Sequence, residues 1–252
     1  MHNINRRVKK MANFYIDKSQ ISNGKAVIDG EEAKHISRVL RMKTGDSVVL
    51  CDGSGMFYSA RLCDFDGKTV TAEIEDVYRA PSEPKLSITL YQGAPKAAKL
   101  ELIVQKATEI GVVRIVPMNT ARTVAKLEKA SKLDRLRKIA REAAKQCKRG
   151  IVPEISEPVS FKEAVSLAAA DELAIIPYEE ETENSLKNIL RGKNISSLSI
   201  MIGPEGGFDE GEIRLAAENS VIPVTLGKRI LRTETAGLAV SAVSLYELGD
   251  ME

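Results

Sequence analysis

The sequence predicts an α/β protein in two parts, a small N-terminal β-barrel within residues 1–80 and a parallel-sheet domain within residues 86–252. The first part holds short β-branched or aromatic runs separated by Gly, Asp and Asn, a pattern typical of a small barrel. The second part alternates apolar strands with amphipathic helices, which indicates a mainly parallel sheet covered on both faces. Residues 79–87 contain two prolines and no periodicity, so we place the domain boundary there.

The N-terminal part should contain five strands and one helix. A turn at 52–55 should join two of the strands as a hairpin, with Asp-Gly supplying the positive φ. The helix is predicted over 30–42, because Ile36, Val39 and Leu40 recur at helical spacing. The predicted strands are 13–16, 25–29, 46–52, 56–64 and 69–77.

The second part should contain five strands and six helices. Ser160 with Glu163, and Asp209 with Glu212, have the spacing of capping boxes and mark two helix starts. The predicted strands are 86–92, 112–117, 172–177, 197–203 and 223–227. The predicted helices are 96–110, 128–149, 160–168, 184–191, 209–219 and 235–248.

Positive charge is concentrated in two stretches, although the whole chain carries only a formal +2. Residues 1–11 hold four basic side chains and no acidic one, and residues 122–149 hold eleven basic and three acidic ones. Such a surface suits a polyanion, although a solvated helix face explains the second stretch equally well. Helix 128–149 should bury one face and expose its lysines and arginines. The residues of the buried face are Leu133, Leu136, Ala140, Ala143 and Cys147.

Composition excludes several classes of protein. Hydrophobic residues at 43% and charged residues at 29% are those of a globular chain. No apolar run reaches the roughly 18 residues of a membrane span, and the basic N-terminus lacks the apolar core of a signal peptide. Three scattered cysteines and two histidines predict neither a metal site nor a disulfide framework, and favour the reducing cytoplasm.

Two glycine-bearing loops follow predicted strands, where ligands bind in open parallel sheets. They are "IGPEGGFDEGE" at 202–212 and "LGKRILRTETAG" at 226–237. Glycine allows a backbone to approach a ligand closely, although a tight strand-to-helix turn would need the same residues. Neither loop matches a P-loop or a dinucleotide fingerprint. The charge density of the second loop favours a site over a plain connection.

The two loops together resemble the paired signature of the ribosomal RNA small subunit methyltransferase E family. Supporting matches are "AKHISRVLRMKTGD" at 33–46 and "KATEIGVVRIVPMNT" at 106–120, so that the resemblance runs from about Met11 to Tyr246. Asn13 departs from the family, whose members often carry arginine there, and this puts one RNA contact in doubt. Residues 1–10 precede the usual start, so we expect them to be either a basic extension or the product of an upstream start codon.

The resemblance implies an S-adenosylmethionine-dependent methyltransferase that acts on N3 of a uridine in small-subunit (16S) ribosomal RNA, free or in the 30S subunit. It also implies a SPOUT trefoil-knotted α/β domain, a PUA-like RNA-binding barrel, a homodimer and no metal. Alternatives are a 2′-O or transfer-RNA methyltransferase of the same fold, and a non-enzymatic ribosome-assembly factor. By the resemblance, the cofactor would be held by Pro177, Ile202, Gly203, Pro204, Glu205, Gly206, Gly207, Leu226, Gly227, Ile230 and Leu231.

Three residues are expected to act in catalysis. Arg232 would stabilise the uracil anion, and Glu234 or Glu205 would be the base or would orient that arginine. The alternative is a structural salt bridge of these glutamates with Arg229 or Arg232.

Two sets of basic residues are expected to hold RNA phosphates, and a solvated surface stripe is the alternative for the first of them. The two sets are His35, Arg38 and Arg41 on helix 30–42, and Lys145, Lys148 and Arg149 at the end of helix 128–149.

The last helix carries an apolar stripe that suits either a dimer interface or burial within one subunit. The stripe comprises Leu238, Val240, Val243, Leu245 and Leu248.

Overall fold

The structure, a computed structural model, describes residues 12–95, 99–123 and 130–251, and the chain divides into two compact units. The first unit runs to Glu83 and also includes Ala144–Val152. The second comprises Pro84–Ala143 and Pro153–Glu252. The predicted basic extension, residues 1–10, lies outside the described residues.

The first unit is built on a six-stranded sheet with the strand order β1-β4-β5-β6-β3-β2. Strands β1 and β4 are parallel, and the other neighbours are antiparallel. The five predicted strands are present, and β2 was missed because two residues show no alternation. The bounds are β1 Asn13–Tyr15, β2 Ile21–Ser22, β3 Lys25–Ile28, β4 Ser47–Cys51, β5 Met56–Phe65 and β6 Val70–Arg79.

The predicted hairpin at 52–55 is confirmed. It joins β4 to β5, in which Cys51 is paired with Phe57. Gly53 has φ +77° and Gly55 has φ +95°, which L side chains rarely adopt. The Asp52 carboxylate accepts hydrogen bonds from the backbone N–H and the hydroxyl of Ser54, at 2.9 and 2.6 Å.

The predicted helical segment at 30–42 is present, but it ends at Val39 and its second half is not α-helical. Helix α1 covers Gly30–Lys34 and passes into a π-helical turn at His35–Val39, where the N–H of Leu40 donates to the carbonyl of His35. Arg41 then takes a left-handed conformation, with φ +52°. Ile36 is buried, but Val39 and Leu40 are 68% and 44% exposed. Of the three residues whose spacing predicted the longer helix, only Ile36 enters the core, so that spacing does not mark a continuous buried face.

Residues Ala144–Val152 complete the core of the first unit. The N–H of Gly55 donates to the carbonyl of Gly150 at 2.9 Å, and the N–H of Val152 donates to the carbonyl of Gly53 at 3.1 Å. The Tyr15 hydroxyl donates to the carbonyls of Ala144 and Arg149. This segment packs on an apolar cluster that includes Tyr15, Val49, Cys51, Phe57 and Ala80.

The second unit is built on a seven-stranded, wholly parallel sheet. Its order is β10-β8-β7-β12-β11-β13, with β9 paired to β8. The short strands β9 and β10 were not predicted. The bounds are β7 Ser87–Gly93, β8 Arg114–Asn119, β9 Glu154–Ile155, β10 Val159–Ser160, β11 Leu173–Pro177, β12 Ser197–Ile202 and β13 Ile222–Val224.

All six predicted helices of this part are present, with shifts of a few residues at their ends. Residues 96–98 and 128–129 of the predicted helices lie outside the described residues. Both predicted helix starts are confirmed: Asp209 and Glu212 form a capping box, whereas at Ser160 only the hydroxyl cap, which accepts from the N–H of Glu163, is present. The bounds are α2 Lys99–Ile110, α3 Ala130–Cys147, α4 Phe161–Ala168, α5 Leu186–Leu190, α6 Glu210–Glu218 and α7 Thr233–Glu247.

Helix α3 buries the predicted face. Leu133, Leu136, Ala140 and Ala143 are all at most 5% exposed, and Cys147 is half-buried. The basic side chains between them lie on the other side of the helix, so the amphipathic interpretation is confirmed.

The chain crosses the carboxyl end of the sheet just before α7. Strand β13 is at the edge beside β11, yet α7 packs on β12, β7 and α2. Residues 225–232 must therefore pass across the end of β11, as expected for the knotted fold class. A Cβ on Gly237 would lie 3.3 Å from Leu90 and 3.4 Å from Ile202, so small residues let α7 lie close to the sheet.

Candidate active site

A cavity of about 450 Å³ lies at the carboxyl ends of β11, β12 and β13. This volume is within the range of sites for small ligands and cofactors. Nine of the eleven predicted cofactor residues line it, and Glu205 and Gly206 do not. The nine are Pro177, Ile202, Gly203, Pro204, Gly207, Leu226, Gly227, Ile230 and Leu231.

The glycines of the first loop are required by the packing of the protein itself. A Cβ on Gly203 would lie 3.0 Å from the carbonyl carbon of Gly207, and one on Gly206 would lie 3.2 Å from Arg122 Cβ. Gly207 has φ +68° and would place a Cβ 3.0 Å from the Glu179 carboxylate. At Gly227, with φ +96°, no heavy atom lies within 4 Å of the Cβ position, so this glycine leaves open space.

A buried hydrogen-bond relay joins the ends of β7 and β12 to the start of α7. Gln92 is fully buried, and its Nε2 donates to Thr233 Oγ1 at 2.8 Å. The Thr233 hydroxyl donates to the carbonyl of Gly203 at 2.6 Å. Sequence reasoning missed both residues, although a glutamine that ends the apolar run "LSITLYQ" is a detectable signal. The relay fixes the cavity wall, since Gly203 and Thr233 both line it.

An ion-pair triad lies beside the cavity. Lys99 Nζ, at the start of α2, is 3.1 Å from Glu205 Oε1 and 3.2 Å from Glu234 Oε2. These contacts, with Glu205 first, raise the pKa of Lys99. The pKa of Glu234 is lowered by its own backbone N–H and by the charges of Lys99 and Arg232. The glutamates thus do form an ion pair, but with Lys99, which sequence reasoning missed.

Arg232 immediately precedes helix α7 and is exposed. Its neighbour Thr233 lines the cavity, while Arg232 itself does not. The three predicted catalytic residues therefore lie along the rim of the cavity, and two of them are held by one lysine.

The cavity wall carries charges of both signs. Glu179 and Glu181 lie on one segment, and Lys228 and Arg229 on another. The Glu181 carboxylate accepts hydrogen bonds from the N–H groups of Glu183 and Asn184, at 2.6 and 3.0 Å, which lowers its pKa. Apolar contact from Ile202, Leu226 and Leu231 completes the wall. Such a cavity can hold an amphipathic ligand that has both cationic and anionic groups.

The basic residues predicted to hold RNA all belong to the first unit. His35 is exposed and its ring packs edge-on against Phe14, with centroids 5.8 Å apart. Arg38 and Arg41 are exposed, but the π-helical turn and the left-handed Arg41 remove the regular stripe that was predicted.

The end of α3 is only partly the basic surface that was predicted. Lys148 is exposed, and Lys145 forms a 2.7 Å ion pair with Glu32. Arg149 is 3% exposed and pairs with Glu83 at 2.7 Å. The expectation that Arg149 offers its charge to RNA is wrong, because the buried Glu83 carboxylate already holds that charge.

The apolar stripe on α7 divides into two parts. Val240 and Leu245 are 1% exposed and belong to the core of the subunit. Val243 is 48% exposed, and Leu238 and Leu248 are half-buried. Tyr246, which was not part of the predicted stripe, is 71% exposed on the same helix.

Within residues 12–95, 99–123 and 130–251, no cluster of three or more His, Cys, Asp or Glu side chains could hold a metal ion. In the same part of the chain, no helix has the length and hydropathy required to cross a membrane.

Comparison with known proteins gives consistent matches along the chain. Residues 82–245 match the model of an RNA methyltransferase domain, and residues 28–76 match that of an RNA methyltransferase PUA domain. A ribosomal RNA small subunit methyltransferase E from Bacillus subtilis is 34% identical over 93% of this chain and 96% of its own. One from Synechocystis is 33% identical over 86% of this chain and 71% of its own. The crystal structure of one from Neisseria gonorrhoeae, bound to S-adenosyl methionine, has 30% identity and a TM-score of 0.81, covering 96% of this chain and all of that one.

Proposed function

Since this chain belongs to the ribosomal RNA small subunit methyltransferase E family and is an S-adenosylmethionine-dependent RNA methyltransferase, we propose that it methylates N3 of a uridine in small-subunit ribosomal RNA. The 2′-O, transfer-RNA and assembly-factor alternatives are not favoured, because the named relatives match over nearly the whole chain. We also propose that the two parts have different roles. The PUA-like barrel within residues 1–80 binds RNA, and the domain within residues 86–252 transfers the methyl group.

The observation that carries the proposal is the 450 Å³ cavity bordered by both signature loops. Its residues fit the cofactor. Ile202, Leu226 and Leu231 offer apolar contact to an adenine ring, and the open space at Gly227 lets backbone approach it. Glu179 and Glu181 can face the ammonium group, and Lys228 and Arg229 the carboxylate, of the methionine part. When bound, S-adenosylmethionine supplies an electrophilic methyl group on a sulfonium that leaves as a thioether.

Arg232 is proposed to stabilise the negative charge that develops on a uracil carbonyl oxygen as N3 loses its proton. A guanidinium beside the cavity can do this as an oxyanion hole does, through preorganised donors. The N3 lone pair then forms the new bond to carbon. N3 lies on the pairing edge, so the uridine must be unpaired or extruded to reach the site.

Exposed cations of the first unit are proposed to hold the flanking phosphates. His35, Arg38, Arg41 and Lys148 are exposed, whereas Lys145 would first have to leave Glu32. Binding through such contacts should weaken steeply with salt. Because the proposed substrate is ribosomal RNA, the proposed compartment is the cytoplasm, and the proposed target is free RNA or the 30S subunit.

A homodimer is proposed through the exposed side of α7. Val243 and Tyr246, with Leu102 at 44% exposure on the adjacent α2, offer apolar area that a second copy can cover. We expect the double substitution Val243→Lys and Tyr246→Lys to shift sedimentation toward a monomer. Replacing exposed Leu167 of α4 by lysine is the matched control and should leave sedimentation unchanged. Monomeric wild-type protein at micromolar concentration would refute the dimer.

The direct test is methyl transfer from labelled S-adenosylmethionine to unmodified small subunits and to free RNA, with mass spectrometry of the nucleosides. We expect 3-methyluridine that depends on the protein. Label recovered as a 2′-O-methylated nucleoside, or only in transfer RNA, would contradict the proposed target. Failure to bind the cofactor by calorimetry would contradict the proposed chemistry.

A further inference from the structure

We propose that Lys99 is a positioning residue that holds Glu205 and Glu234 together as carboxylates, so that neither glutamate serves as the base. The inference rests on the proposed function and deepens it. Lys99 does not line the cavity. In the proposed arrangement it does not contact the uridine either. It acts through the two glutamates that it contacts.

The geometry is that of one ammonium shared by three segments. Lys99 begins α2, Glu205 lies in the loop after β12, and Glu234 lies in the first turn of α7. Because both carboxylates contact the same nitrogen, they lie within about 6 Å of each other, a separation at which like charges interact strongly. Without the ammonium, this arrangement would be repulsive.

The positive charges beside Glu234 favour its ionised form. Arg232 precedes α7 and acts on Glu234 with the same sign as Lys99. The acidic residue of α2 nearest to Lys99 in sequence is Glu101, which forms an ion pair with Arg135 at 2.8 Å. The Lys99, Glu205 and Glu234 side chains are only 31%, 33% and 21% exposed, so solvent screens the triad incompletely.

A carboxylate held in this way is a weak proton acceptor. General bases work best when their pKa is near the working pH, and the pKa of Glu234 is shifted away from it. The N3 proton therefore leaves to water, while Arg232 stabilises the anion that remains. The triad instead fixes the loop of Gly203 to Gly207 against the start of α7, on either side of the cavity.

Substitution Lys99→Met tests this assignment through the pH profile of kcat. We expect kcat to fall about tenfold at pH 8, because the loop and the helix lose their common anchor. We also expect the acid limb of the profile to keep its position, because neither glutamate accepts the N3 proton, even though two unbridged carboxylates raise each other's pKa. Lys99→Arg keeps a cation for both carboxylates and should restore kcat. The affinity for S-adenosylmethionine by calorimetry should fall about fivefold, the equivalent of one partly exposed ion pair.

Lys106→Met is the matched control, since Lys106 lies on the same helix and forms an ion pair with Glu109. It should leave kcat and the affinity for S-adenosylmethionine unchanged. If Lys99→Met keeps or raises kcat, a glutamate released from the lysine acts as the base and the assignment is overturned. The same holds if the acid limb moves to higher pH, because a glutamate whose pKa rises on loss of the lysine would then be the base. Absence of transfer by the wild type would instead refute the proposed function, and the two failures are thus distinct.

Discussion

Replacing Arg232 by alanine is expected to lower kcat by about 100- to 1000-fold, the usual effect of removing one preorganised oxyanion donor. Arg232 precedes α7 at the cavity rim and does not line the cavity, so the affinity for S-adenosylmethionine should change little. Single-turnover transfer to small subunits and calorimetry with the cofactor together separate the two quantities.

The matched control is Arg214→Ala, which removes an exposed arginine of α6 outside the cavity. It should leave kcat unchanged. Arg232→Lys should recover only part of the rate, because an ammonium keeps the charge but lacks the planar fork of donors. Turnover by Arg232→Ala within threefold of the wild type would remove Arg232 from the mechanism.

Replacing Glu83 by alanine is expected to lower the free energy of unfolding by about 3–5 kcal/mol, the cost of leaving a buried charge without its partner. The Glu83 carboxylate accepts from Arg149 Nη2 at 2.7 Å and from the N–H groups of Gly150 and Ile151 at 2.6 and 3.1 Å. All of these bonds hold the returning segment Ala144–Val152 in the first unit. Urea denaturation followed by circular dichroism measures the loss.

The matched control is Glu154→Ala, since Glu154 pairs with Arg114 on the surface, with side chains 58% and 52% exposed. Such a pair contributes about 0–1 kcal/mol. Glu83→Gln keeps an acceptor for the two backbone N–H groups. Its loss of unfolding free energy should therefore lie between the losses of Glu83→Ala and Glu154→Ala. Equal stability of the Glu83→Ala and Glu154→Ala variants would show that burial of Arg149 needs no counter-ion.

Features encoded locally were predictable from the sequence. The strand and helix alternation, the Asp52-Gly53 hairpin and the caps at Ser160 and Asp209 depend on residues a few positions apart. The residues around the cavity were identified by resemblance to a family, and their binding roles stay predictions. Nine of them do line one cavity.

Features that depend on distant partners were not predictable. Lys99 looks like any other cation of an amphipathic helix until Glu205 and Glu234 are brought to it. Arg149 ends a basic run, and no local pattern reveals that Glu83 will bury it. The π-helical turn at His35–Val39 likewise reflects which side chain the barrel core accepts, and this is decided by tertiary packing.

The return of Ala144–Val152 to the first unit has a consequence for biosynthesis. Domains generally begin to fold while the chain is still being made, N-terminal part first. Here the sheet strands of the first unit are complete at Arg79, but the apolar seam around Tyr15, Cys51 and Phe57 is not covered until Val152 has left the ribosome. By then β7, α2 and β8 of the catalytic unit have also been synthesised. A chain that stops at the boundary near Glu83 would carry an open hydrophobic seam, which marks it for chaperones and proteases rather than leaving a free RNA-binding module.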